Sequence, residues 1–112
     1  MAPTLSYAIY FVGDMDRAIR FYRDTLGFAV KFQSPGWSEL STGETTIALH
    51  SSSAENPAGR VRLGINVPDL GSFHKELTGR GVRFTQTPTE MHGTRVARFV
   101  DSEGTEVSVS GR

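Results

Sequence analysis

The 112-residue chain balances 12 basic against 12 acidic side chains and contains no cysteine. That balance supplies no positive field for nucleic acid or an anionic membrane, and without thiols there are no disulfides and no thiolate metal sites. One domain of this size buries roughly two-thirds of the surface its unfolded chain exposes. No apolar run approaches the ~20 residues of a membrane span, and the opening MAPTLSY lacks the basic-then-apolar pattern of a secretory signal, so a cytoplasmic protein is expected.

Residues 5–12 are mostly apolar, with Tyr7, Ile9 and Phe11 on one face and Ala8, Tyr10 and Val12 on the other, the pattern of a strand covered on both sides. The strand runs into residues 14–28, which read as one amphipathic helix. Met15, Ala18, Ile19, Tyr22 and Leu26 recur at three- and four-residue steps and form its apolar stripe. Asp14 is the natural N-cap and Gly27 the natural stop, although Arg17 stands where a capping box would place Glu or Gln. Residues 28–32 alternate as a strand, Pro35-Gly36 turns the chain, and residues 37–41 and 45–50 are two more strands around Thr42-Gly43-Glu44. The order is β-α-β-β-β.

Residues 51–60, SSSAENPAGR, are polar and without period, and read as a connecting loop. Beyond it Leu63, Ile65 and Val67 alternate with Arg62, Gly64 and Asn66. Pro68-Asp69 then opens a second helix carrying Leu70, Phe73 and Leu77, which Gly81 closes. Strands are expected at 82–85, 95–100 and 105–109, with Pro88 and Gly93 in the loop before the second. The β-α-β-β-β order repeats, and so do its landmarks: Val12-Gly13-Asp14 matches Val67-Pro68-Asp69 and Leu26-Gly27-Phe28 matches Arg80-Gly81-Val82 at nearly constant spacing, and near the ends of the halves Ile47-Ala48-Leu49 corresponds to Val107-Ser108-Val109. The expected architecture is a single α+β domain over residues 1–112, made of two βαβββ modules at about 5–50 and 61–110 joined by the 51–60 linker.

Val12-Gly13-Asp14, the helix-borne Phe21-Tyr22, Leu26-Gly27-Phe28 and the turn Asp101-Ser102-Glu103-Gly104 together resemble the vicinal oxygen chelate superfamily, which includes glyoxalase I, extradiol dioxygenases and bleomycin-resistance proteins. The resemblance covers the whole chain and is more specific for the fold than for the chemistry. It implies a cup-shaped domain, a homodimer and, in the enzymes, a divalent metal held by four side chains from the first and last strands of the two modules. Those positions, usually His, Glu, His and Glu, fall here on Tyr7, Ala48, Arg62 and Ser108. Alanine has no donor, a guanidinium repels a cation, and neutral Tyr or Ser is a poor ligand beside imidazole and carboxylate. No metal and no cofactor are expected.

The strand alternation offers other chemistry. Thr46, Ala48 and His50 oppose Ile47 and Leu49, while Glu106, Ser108 and Ser110 oppose Val107 and Val109. Such polar faces either meet solvent, as on any one-sided sheet, or line the cup that the resemblance implies. In the second case Tyr7, Phe11, His50, Arg62, Glu106 and Ser108 are the candidate ligand-binding residues, an aromatic wall with a few polar groups. Arg62 either contacts an anionic ligand group or pairs with Glu106. His50 either packs at the rim or works as an acid–base group, whereas His74 and His92 read as surface and loop residues. Two functions follow: a metal-independent protein that binds an aromatic or amphipathic small molecule, or a lyase, isomerase or dioxygenase of the glyoxalase type. The enzyme would use nonstandard ligands or acid–base catalysis by His50, Glu106 and Tyr7.

Overall fold

The computed structural model describes residues 3–112, which divide into two compact units, residues 7–61 and residues 62–112 with the start of the first strand. In the first unit β1 (Thr4–Val12) leads to α1 (Met15–Arg20), followed by β2 (Ala29–Phe32), β3 (Trp37–Ser41) and β4 (Thr46–Ser51). These strands lie in the order β2-β3-β4-β1, with β1 and β4 parallel and the other neighbours antiparallel. Asp14 caps α1 as expected, its Oδ1 accepting the Arg17 amide at 3.0 Å. Buried Ile19 anchors the helix on Val12, Leu40 and Leu49, with Met15, Ala18, Tyr22 and Phe28 packed around them.

The expectation of one α-helix through residue 28 is corrected. Phe21–Thr25 forms a π-helical turn, in which the Leu26 amide donates to the Phe21 carbonyl oxygen at 3.2 Å, five residues back. Widening the turn by one residue carries Leu26 off the apolar stripe. It is 49% exposed, and Phe28, stacked on Tyr22 at 5.9 Å, completes the core in its place. Gly27, at φ 78°, still ends the helix.

The second unit repeats the plan with β5 (Val61–Val67), α2 (Leu70–Gly79), β6 (Phe84–Met91), β7 (Thr94–Val100) and β8 (Glu106–Gly111), and its strand order is β5-β8-β7-β6. Here β5 and β8 are parallel and the remaining pairs antiparallel. Asp69 caps α2, whose Leu70 and Phe73 pack on Val67, Ala97 and Val109. The approach is close, because a Cβ at Gly111 would collide with the Val67 carbonyl oxygen and lie 3.4 Å from Leu70 Cβ. The loop expected around Pro88 is also corrected, since β6 runs through it and the reversal comes at His92-Gly93, with φ of 51° and 81°. Pro88 is tolerated because β6 is the outer strand of its unit and its register on β7 is already broken by irregularities. Among the described residues no helix is long and apolar enough to cross a membrane.

Candidate functional site

Each unit turns one sheet face to its helix and presents a different face opposite. In the first unit the opposite face takes Tyr7, Ile9 and Phe11 from β1, Ala48 and His50 from β4, and Trp37 and Glu39 from β3. The register sets them in rows: Phe11 beside His50 beside Trp37, and Ile9 beside Ala48 beside Glu39. Ile9, Phe11 and Ala48 are buried and form a floor, while Tyr7, Trp37, Glu39 and His50 stand half-buried around it. Their rings meet edge to face, Tyr7 with Trp37 at 5.4 Å and Trp37 with His50 at 6.0 Å, while Phe11 and His50 are tilted together at 5.0 Å.

Polar atoms on this face are already oriented. Trp37 Nε1 donates to Glu39 Oε2 at 2.8 Å. His50 Nδ1 lies 2.8 Å from the Ser51 carbonyl oxygen, which can only accept, so the proton is assigned to Nδ1 and Nε2 is the acceptor of the neutral ring. Burial, and then the nearby Glu39 charge, push the Tyr7 phenol above its ordinary value. Tyr7 is therefore a hydrogen-bond donor at neutral pH.

In the second unit Arg62 and Glu106 form an ion pair, Nη2 to Oε1 at 3.0 Å, with the arginine side chain 11% and the glutamate side chain 33% exposed. The other Glu106 oxygen accepts from the Thr85 hydroxyl. Ser108 lies between Gly64 on β5 and Arg98 on β7, and Arg98 directs Nε and Nη2 at the single amide oxygen of Gln86. Further along, Asn66 donates to the Ser110 hydroxyl at 3.1 Å.

The six residues singled out from sequence thus fall into two groups. Tyr7, Phe11 and His50 share the aromatic face, and Arg62, Glu106 and Ser108 share the polar one. Trp37, Glu39, Arg98 and Gln86 were missed. Period-two alternation along β3 pairs Trp37 with Glu39, but only the β3–β4 register puts them on the His50 side. His74 packs edge-on against Phe84 at 4.6 Å, and His92 occupies a hairpin turn. A shallow depression lined by Asp14, Met15, Asp16, Gln33, Ser34 and Pro35 contains none of the predicted residues.

The four positions where the family's enzymes hold a metal do not fit one here. Ala48 is fully buried and has no donor atom, Arg62 is a cation engaged with Glu106, and Tyr7 is a neutral phenol. Among the described residues no three His, Asp or Glu side chains are grouped to replace them.

The chain's likenesses agree with this architecture. It is 29% identical to the uncharacterized protein YurT of Bacillus subtilis (strain 168), over 88% of this chain and 91% of that one. The hypothetical protein BH1468 from Bacillus halodurans C-125 superposes with a TM-score of 0.81 at 18% identity, covering 100% of this chain and 96% of that chain. Methylmalonyl-CoA epimerase from Mycobacterium tuberculosis superposes with a TM-score of 0.76 at 19% identity, covering 96% and 86%. At such identities the shared property is the fold. A sequence profile of the Glyoxalase/Bleomycin resistance protein/Dioxygenase superfamily matches residues 4–109, and the chain, with its repeated βαβββ plan, belongs to that superfamily.

Proposed function

We propose that this protein binds and sequesters an aromatic or amphipathic small molecule without a metal, in the manner of the bleomycin-resistance branch. The observation that carries the reading is the face of Tyr7, Trp37 and His50 around a floor of Ile9, Phe11 and Ala48. Half-buried rings over an apolar floor offer a planar ligand both contact area and edge-to-face geometry, and Glu39 and His50 Nε2 add acceptors that fix its orientation. Acid–base catalysis is the weaker reading. Tyr7 holds its proton, and both Glu106 oxygens already accept hydrogen bonds, which leaves that carboxylate a poor base.

Trp37 is the single tryptophan of the chain, so its emission reports on this face directly. Titration with 2-naphthamide is expected to give a saturable change in Trp37 fluorescence. Tyr7→Ala should weaken binding by the roughly 0.5–1.5 kcal/mol typical of an aromatic pair. A response that never saturates, matching that of free N-acetyltryptophanamide, would overturn the reading.

A further inference from the structure

We infer that the polar sheet face of residues 62–112 holds a subsite for a carboxylate, or a similar oxyanion, at Arg98. Cross-strand register places Val96, Arg98 and Val100 of β7 opposite Ser110, Ser108 and Glu106 of β8, and places Gln86 and Thr89 of β6 opposite Arg98 and Val96. Arg95 and Glu90 pair with each other one position out of phase, on the helix side with Ala97. Among the described residues, the charged side chains on this face that lie within the strands are Arg62, Arg98 and Glu106. Arg62 and Glu106 are joined by their ion pair, and the second Glu106 oxygen is taken by Thr85.

Arg98 has no such counterpart. Among the described residues it forms no ion pair, and its hydrogen-bonding partner is the neutral Gln86 amide. A half-buried guanidinium that is held in place but not neutralised retains its attraction for an anion, and anchoring two of its nitrogens lowers the ordering cost of binding one. Gln86 also turns its only acceptor towards Arg98, and its amide nitrogen, which donates to Met91 Sδ at 3.7 Å, keeps a second N–H beside the same site. The hydroxyl of Ser108, directly opposite Arg98, can supply a further donor. Arg98 thus presents a positive charge that no described carboxylate neutralises, which suits a monoanion.

This inference concerns residues 62–112 alone and does not rest on the binding reading above. The test compares 2-naphthoate with 2-naphthamide, which share a ring and differ in charge, by calorimetry and by NMR of the arginine Nε–H resonances. The expected result is about tenfold tighter binding of the carboxylate, with a shift of the Arg98 Nε–H signal. Arg98→Gln should abolish the preference and Arg98→Lys retain part of it, while Arg62→Gln with Glu106→Gln should leave it in place. Thermal melts confirm that each variant is folded. Equal affinity for the two compounds would overturn the subsite while leaving the aromatic reading standing. A carboxylate preference at Arg98 with no response from Trp37 would sustain the subsite and overturn the aromatic reading. Binding of neither compound would overturn both.

Discussion

Arg62 and Arg98 lie on neighbouring polar rows of one face yet have opposite electrostatic fates, because one meets a carboxylate and the other an amide. Sequence alternation could place Arg62 near Glu106 and leave pairing open as an alternative to ligand contact. It could not find Arg98, whose importance depends on Gln86 standing across a strand pair with an irregular register. The pairing has a measurable consequence. Arg62→Ala removes the cationic partner of a partly buried carboxylate and should lower stability by about 1–3 kcal/mol, and adding Glu106→Gln should restore much of that in chemical denaturation. On the other face, Tyr7 should titrate above the ordinary 10.0, chiefly through burial and secondarily through Glu39. The folded state then keeps a proton that the unfolded state has lost, so this contribution to stability is intact below pH 10 and declines as pH rises beyond it. Tyrosinate absorbance, compared with Tyr7→Phe, should show the late titration, and Glu39→Gln should move it back towards the ordinary value.

Elements were legible where their signals were local and hidden where they depended on neighbours. The Asp14 and Asp69 caps and the Gly27 and Gly81 stops mark both helices in the sequence, because capping chemistry involves residues within one turn. The π turn at Phe21–Thr25 left no such mark, since the stripe that includes Leu26 also fits an uninterrupted α-helix. Its effect on packing can be tested with two truncations. Leu26→Ala, at an exposed site, should change stability by no more than about 0.5 kcal/mol, whereas Ile19→Ala, in the core, should cost about 2–5 kcal/mol. Equal costs would mean that Leu26 packs as an ordinary α-helical stripe requires. Pro88 misled for a related reason, because proline argues against a strand in general but is accepted on an outer one. Gly111 is a third element-level constraint. Gly111→Ala should destabilise by about 1–3 kcal/mol, since β8 and the start of α2 leave no room for a methyl group beside Val67.

Across the whole molecule, the duplicated βαβββ order was readable because it is written twice, with cap and stop at matching offsets and a closing strand in each half. The faces opposite the helices followed from alternation, and the membership that Val12-Gly13-Asp14, Phe21-Tyr22 and Leu26-Gly27-Phe28 pointed to holds over residues 4–109. Ligand chemistry was less legible, because it resides in cross-strand neighbours such as Trp37 beside His50 rather than in any linear motif. We propose that this superfamily member binds an organic molecule without the divalent metal that the family resemblance implies for its enzymes. Native mass spectrometry of the purified protein, paired with elemental analysis after dialysis, tests it most directly. The expected result is a folded chain with less than stoichiometric zinc, iron, nickel or manganese that takes up 2-naphthoate as an intact adduct and releases it chemically unchanged. One equivalent of divalent metal surviving dialysis and lost in His50→Ala, or conversion of the bound compound, would contradict the account.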